Sequence, residues 1–534
     1  MKFHLTLIAT LVLTPAWAQE PKLRISSLAD SLPKITIGGL APNELVQLDL
    51  RLAGLNPLLN LPGAAARQAM LLGRSDAWGR FVHQVPVTPA ALAGQTLVVQ
   101  AHSVASSGLA WTAGTALLGP APQPFNPVLV ERGQQQLPST ASVLGAAHVA
   151  AGDLDGDGTQ DIVLSRAGLM RAWVQAPGQK LLDASGQHLS PAPFPTGVLT
   201  MADLDADGDP DLIAAGLNHA AGHLDQIWWM QAGRLVPGDL LPFATAVPTS
   251  QILSGDVNGD GRQDLLVLRG DVDHNTEGER DSLWIQNAGG GFSLDSGYDQ
   301  ALWNEDLSAT TSGVLADVDG DGDLDIFLGK ADPGGVTGLP GGRNVLLVNA
   351  GDGTFTDVSD LNLLPRAADQ SFSVTCGDLD GDGDLDLIVA NSILGLGGVN
   401  SSDVLLNQGG FQGGSMGVFR DELNLLPESP PNHEAIRLLV HAADFNLDGA
   451  LDVFFGVHDL PPGSGGHPLF LGNASGSPGF TRVEEFETGS FIVGGSVLFD
   501  LGADGDFDLF LTSAGSAGGG DEPLRARLFV NTTL

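Results

Sequence analysis

Nine residues, Asp378-Leu379-Asp380-Gly381-Asp382-Gly383-Asp384-Leu385-Asp386, concentrate enough carboxylate to bind a hard cation. Side-chain oxygens at positions 1, 3, 5 and 9 of such a nonamer can converge on one point. A main-chain carbonyl at position 7 can add a further donor, and glycine at position 6 permits the sharp turn that gathers them. Oxygen donors alone select calcium or magnesium over zinc or copper, and a flexible cage made entirely of protein favours calcium.

The nonamer is one of seven, beginning at Asp153, Asp203, Asp256, Asp317, Asp378, Asp444 and Asp500. Four carry aspartate at positions 1, 3, 5 and 9, giving as expected ligands Asp153, Asp155, Asp157 and Asp161; Asp203, Asp205, Asp207 and Asp211; Asp317, Asp319, Asp321 and Asp325; and Asp378, Asp380, Asp382 and Asp386. The third set is Asp256, Asn258, Asp260 and Asp264 and the sixth Asp444, Asn446, Asp448 and Asp452, where asparagine keeps an oxygen donor and drops a charge. The seventh keeps Asp500, Asp504 and Asp508, but Gly502 removes the position-3 donor. Up to seven calcium ions are therefore expected. Thr159, Arg262 and Ala450 are tolerable at position 7 if only the carbonyl is used there.

Each loop needs strands to hold it. An apolar segment precedes every nonamer, and one rich in β-branched or large apolar residues follows, such as Ile162-Val163-Leu164 or Val453-Phe454-Phe455. A third segment such as Val345 to Val348 leads through Asn349-Ala350-Gly351-Asp352-Gly353 into a fourth, Phe355 to Val358. Four short strands per unit, repeated at 50 to 66 residues, make the blades of a seven-bladed β-propeller in an all-β chain. The last unit has a third strand at Leu528 to Val530 and no fourth, and Val128 to Glu131 fits the missing place. Such closure would pair an otherwise exposed strand edge.

The formal net charge is −39, with 63 acidic against 24 basic residues, so nucleic acid and anionic membrane are excluded as partners by repulsion. The nonamers hold 29 of the acidic residues, which ties much of that charge to cation binding. Lys2, the apolar run Leu5 to Leu13 and Ala16-Trp17-Ala18 read as a signal peptide over 1–18, so a secreted or cell-surface location is expected, with the periplasm as an alternative. No other segment is long and apolar enough for a transmembrane helix. The single cysteine, Cys376, reads as a small buried strand residue. Short alternating segments at Lys34 to Ile37, Leu45 to Leu52, Phe81 to Val87 and Thr96 to Ala101 suggest a small immunoglobulin-like β-sandwich over 21–119, joined by a Pro-rich linker at 120–126 to the propeller at 127–534.

The loop Asp153-Leu154-Asp155-Gly156-Asp157-Gly158, its six counterparts, and followers such as Asn349 to Phe355 resemble the FG-GAP/VCBS repeat family, which includes the ligand-binding propeller of integrin α subunits. That resemblance implies a calcium-stabilised propeller used for adhesion or ligand binding, and it names no ligand. The Phe-Gly pairs that give the family its name are not consistent here.

The function expected is a binding or adhesion module for an extracellular protein or glycan, from a monomeric chain. The rivals are an exported polysaccharide lyase or hydrolase and a structural part of a surface assembly. The enzyme would need convergent carboxylates, histidine or lysine outside the nonamers, and the sequence offers no compelling set, so no catalytic residue is assigned. Long connections at 269–281, 329–343, 391–403, 425–434 and 456–467 are the expected ligand face, opposite the loops. Arg269-Gly270-Asp271, an adhesion tripeptide, is best explained by chance in a chain with 72 glycines. Tyr298 and Trp303 are weak candidates for stacking on a sugar.

Overall fold

The computed structural model describes the strands of residues 8–117 as backbone and, from 129 to 531, the blades and most of their turns; among the connections, 216–224, 271–280, 299–308, 332–341, 392–401, 428–435, 459–466, 484–490 and 517–525 lie outside the described residues, as do Asp448, Asp504 and Trp303. The chain divides into two compact units, one built on Met1–Pro127 and the other on Val128–Phe445 with Ala450–Thr532.

In the first unit, Ile8–Val12, Gly108–Leu117, Thr96–Ala105, Leu45–Ala53 and Ala69–Arg74 form one antiparallel sheet in that order. Lys22–Ser26, Lys34–Gly38 and Phe81–Gln84 form another. Ile8–Val12 falls inside the segment that reads as a signal peptide.

The second unit has seven four-stranded antiparallel sheets, six of them with their strands in sequence order and the seventh closed by the unit's earliest strand. Blade 1 is His148–Gly152, Asp161–Arg166, Leu169–Ala176 and Lys180–Asp183; blade 4 is Ala309–Ala316, Asp325–Ala331, Val345–Asn349 and Phe355–Asp357. Blade 7 takes Phe491–Phe499, Asp508–Ser516 and Arg527–Asn531 from the end of the unit, and Leu129–Glu131 from its start. Phe529 pairs with Glu131 and Asn531 with Leu129, so the early segment supplies the fourth strand as expected.

The first strands of neighbouring blades meet around the ring, and Phe491–Phe499 meets His148–Gly152 where it closes. The apolar core follows this plan. It lies as seven clusters, one between each pair of adjacent blades, and the cluster joining blade 7 to blade 1 holds Ile162, Trp173, Phe499, Phe510 and Leu528. Trp173 meets Phe510 edge to face with ring centroids 5.8 Å apart. A blade hides one sheet face against each neighbour, so second strands such as Asp264–Arg269 are buried at every residue.

Two side readings are settled by burial. Arg269 ends a second strand and is 2% exposed, its guanidinium 3.6 Å from the Asp225 carboxylate, so the tripeptide it begins cannot present that arginine to a receptor. Tyr298 is fully buried edge-to-face on Phe355, which removes it as a sugar platform.

Candidate metal centres

Each nonamer joins the first and second strands of its blade, and three features fold it. The residue at position 2 (Leu154, Leu204, Val257, Val318, Leu379, Phe445 or Leu501) is at most 4% exposed and packs in the cluster shared with the following blade. The glycine at position 6 adopts positive φ where described, for example 85° at Gly158 and 98° at Gly383. Position 4 needs the same handedness, and Ala206 adopts φ 59° there in the second loop, a mild strain for an L-residue.

The third feature is the position-9 aspartate, which opens the second strand and is buried in all seven blades. Its two oxygens serve two backbone donors. In blade 4, Val318 N–H donates to Asp325 Oδ2 at 2.9 Å and Asn349 N–H to Asp325 Oδ1 at 2.8 Å. The same pair recurs on Asp161, Asp211, Asp264, Asp386, Asp452 and Asp508. This residue therefore braces the loop to the third strand, a role that ligand spacing alone did not reveal.

Four loops gather a metal-binding set. Carboxylate oxygens of Asp153, Asp155 and Asp161 lie within 4.8 Å of one another, as do those of Asp203, Asp205 and Asp211, of Asp317, Asp319 and Asp325, and of Asp378, Asp380 and Asp386. These are positions 1, 3 and 9. The donors are all hard oxygens, which fits a hard cation. The position-5 residues Asp157, Asp207, Asp321 and Asp382 are not in these groups; each accepts the N–H of position 7, as Asp323 N–H does to Asp321 Oδ1 at 3.0 Å. Position 1 accepts from the turn glycines: Gly320 N–H reaches Asp317 Oδ1 at 2.7 Å and Gly322 N–H reaches Oδ2 at 2.9 Å.

Loops 3, 6 and 7 differ. In loop 3 the Arg262 guanidinium bonds the Asp260 carboxylate and donates to Gln286 O at 3.0 Å, so a built-in cation answers part of the charge. The arginine at position 7 was the signal for this. In loop 6 Asp444, Asn446 and Asp452 are described, and in loop 7 Asp500 and Asp508; Gly502 N–H there donates to Gln175 Oε1 at 2.5 Å.

Gathered carboxylates raise one another's proton affinity. Desolvation by burial is the largest cause at position 9: it pushes Asp161 and Asp325 up to about 7, Asp211 and Asp264 to about 6 and Asp386 to about 8, with the neighbouring carboxylates adding to the rise. Asp155, Asp203, Asp319 and Asp378 are also raised, again chiefly by burial.

A second set of side chains stitches the loops into a ring. An amide ends the third strand in four blades and stands next to last in that of blade 1, and it reaches back to the loop of the blade before. Asn349 Nδ2–H donates to Val257 O at 2.7 Å, Asn407 to Val318 O at 2.7 Å, Gln286 to Leu204 O at 2.6 Å and Asn531 to Phe445 O at 2.6 Å. Gln175 closes the circle onto Asp500 O at 3.2 Å. Asn349 also donates to Leu324 O and accepts from Gly351 and Gly353 N–H. Replacing Asn349 with alanine should lower unfolding free energy by about 2–6 kcal/mol, since four bonds worth about 0.5–1.5 kcal/mol each are lost; a urea melt measures it, and a loss under half a kcal/mol would reject the latch.

The opposite end of the blades is pinned as well. Where a long connection leaves the second strand, a side chain at the entry to the third takes a bond across its base. Arg269 N–H donates to Asp281 Oδ1 at 2.7 Å, Lys330 N–H to Asn344 Oδ1 at 2.9 Å and Val457 N–H to His467 Nδ1 at 3.0 Å, while Asn391 Nδ2–H donates to Asp403 Oδ2 at 2.7 Å. The connections themselves lie outside the described residues.

The FG-GAP-like repeat family matches four overlapping stretches, residues 153–214, 203–267, 256–328 and 317–389, each starting at position 1 of a nonamer. No curated protein matches the chain. Among solved structures, it is similar to an Agrocybe aegerita lectin with specific recognition of non-reducing terminal N-acetylglucosamine, at 18% identity over 65% of this chain and 83% of that one, with a TM-score of 0.41. It is also similar to a candidate phosphatase from Bacteroides thetaiotaomicron, at 10% identity over 97% of this chain and 99% of that one, with a TM-score of 0.34. Both scores are too low to compare sites.

Proposed function

As a seven-bladed β-propeller carrying FG-GAP-like repeats, this chain is a frame, and we propose that calcium completes it and that the frame displays a binding surface for an extracellular protein or glycan. The observation that carries this reading is the division of labour between the two ends of the blades. At one end, four loops gather carboxylates around a point and spend their remaining bonds on holding strands and neighbouring blades together. Charge gathered in this way is balanced by a dication, and in the extracellular milieu a site with a Kd of about 10⁻⁴ to 10⁻³ M is filled. At the other end, by strand direction, emerge the connections between second and third strands, long in blades 2 to 7 and pinned at the base in blades 3 to 6 by Asp281, Asn344, Asp403 and His467. Variable loops on fixed stems are where recognition concentrates.

On this reading the expected ligands from Asp153 to Asp508 are structural, the leader at 1–18 directs export, and the sheets of the first unit form a small sandwich. Among the described residues no helix is long and apolar enough to cross a membrane. The test is a screen against glycans and matrix proteins, with turnover of the same polysaccharides measured in parallel. Binding without turnover, abolished when the segments 271–280, 332–341, 392–401 and 459–466 are exchanged for short turns, is the expected result. Turnover, or binding indifferent to all four exchanges, would contradict it.

A further inference from the structure

The amides that latch the ring each touch two neighbouring loops at once. In blade 5 the residue is Asn407, which is fully buried. Its N–H donates to Asp386 Oδ1 at 2.8 Å, position 9 of its own loop, and its Nδ2–H donates to Val318 O at 2.7 Å, position 2 of the loop before. Val318 N–H in turn donates to Asp325 Oδ2 at 2.9 Å. Three hydrogen bonds therefore run from the position-9 aspartate of loop 4 to that of loop 5, through a single asparagine. Asn349 makes the same connection from loop 3 to loop 4, and Gln286 from loop 2 to loop 3. Asn531 joins loop 6 to loop 7, and Gln175 joins Asp500 O to Asp161 of loop 1.

Two blades lack the amide. Met230 takes its place in blade 2 and Gly472 in blade 6. Each still donates its N–H to position 9, at 2.7 Å to Asp211 Oδ1 and at 2.9 Å to Asp452 Oδ1, but neither has a side-chain N–H with which to reach the blade before. By these bonds the seven loops fall into two connected arcs, loops 2 to 5 and loops 6, 7 and 1. The breaks lie between loops 1 and 2 and between loops 5 and 6. Loops 4 and 5 both gather a carboxylate set and are joined by Asn407, whereas loops 1 and 2 both gather one and are not joined.

We propose that these buried amides are positioning residues that couple neighbouring cation sites, so that loops 4 and 5 fill cooperatively while loops 1 and 2 fill independently. A cation in loop 4 fixes Asp325 and, through the bond from Val318 N–H, the backbone beside it. The Val318 carbonyl is then in place for Asn407, whose own N–H holds Asp386 before loop 5 has its ion. Ordering done by one ligand lowers the cost of binding the next. The inference rests on the reading of the loops as cation sites.

The test soaks crystals grown in chelator with a series of terbium concentrations and reads the occupancy of each loop from its anomalous peak. Asp319→Ala, which removes a ligand of loop 4, should raise the concentration that half-fills loop 5 by about fivefold or more, the low end of ordinary coupling between sites, and leave loop 1 as it was. Asp155→Ala, the same change in loop 1, should not move loop 2. In an Asn407→Ala background, adding Asp319→Ala should no longer shift loop 5; the comparison of Asp319→Ala with Asp155→Ala stands without that background. An unmoved loop 5 in Asp319→Ala, or an equal shift of loop 2 in Asp155→Ala, would overturn the coupling alone. No peak at any loop of the natural chain, or variant loops that fill as before, would overturn the ligand reading beneath it.

Discussion

Removing calcium should lower the melting temperature of the propeller by about 7 °C at neutral pH. A site held at ten times its Kd adds about 1.4 kcal/mol, so the four loops with a gathered set contribute about 6 kcal/mol. A unit of about 400 residues has an unfolding entropy near 0.85 kcal/mol/K, which sets the conversion to temperature. Without the cation, carboxylates such as Asp325 carry a folded pKa of about 7 against 3.8 unfolded, so the folded state binds more protons between those values. Stability in chelator then falls as pH rises from about 4 to 7, because its slope follows protons bound unfolded minus folded. Calcium competes with those protons. The gap between calcium and chelator should therefore be small near pH 4 and widest at neutral pH, as differential scanning calorimetry would show; an equal gap at both would contradict the carboxylate origin of the effect.

Within one loop, Asp325→Ala should destabilise the chain far more than Asp319→Ala, and by a different route. Asp325 is buried and satisfies the Val318 and Asn349 amides, so its loss leaves two buried N–H groups unmet, at about 1–3 kcal/mol each, or about 2–6 kcal/mol whether or not calcium is present. Asp319 is half-buried, and the backbone bond to its carboxylate is the long 3.3 Å one from Asp321 N–H. Asp319→Ala should cost about the 1.4 kcal/mol of one site with calcium at ten times Kd, and almost nothing in chelator. Urea melts of both variants in calcium and in chelator check this. Equal losses in chelator would show that position 9 is no brace.

The architecture was legible because its signals are local and repeated. A nonamer with glycine at position 6, set between apolar segments, specifies turn, strand order and register at once, and the unit lacking a fourth strand pointed to Leu129–Glu131. What escaped were pairings between residues far apart in the chain. Asn407 meets Val318 across 89 residues and Gln286 meets Leu204 across 82, and nothing in the local spacing of an amide at a strand end predicts such a partner. Position 9 was legible as a donor but not as a brace, since the second amide it accepts comes from the third strand. Arg262 was read through its backbone carbonyl alone, and its guanidinium proved to sit on Asp260. Arg269 and Tyr298 lie in segments that looked like loop from sequence, and their burial follows from contacts with Asp225 and Phe355 that only the closed ring creates.

The central claim, that the loops are structural cation sites at one end of the frame, is tested most directly by an anomalous difference map from crystals grown in calcium. Density peaks among positions 1, 3 and 9 of the loops at Asp153, Asp203, Asp317 and Asp378 are the predicted result. Ordered, well-defined loops with no peak at any of the four would contradict it.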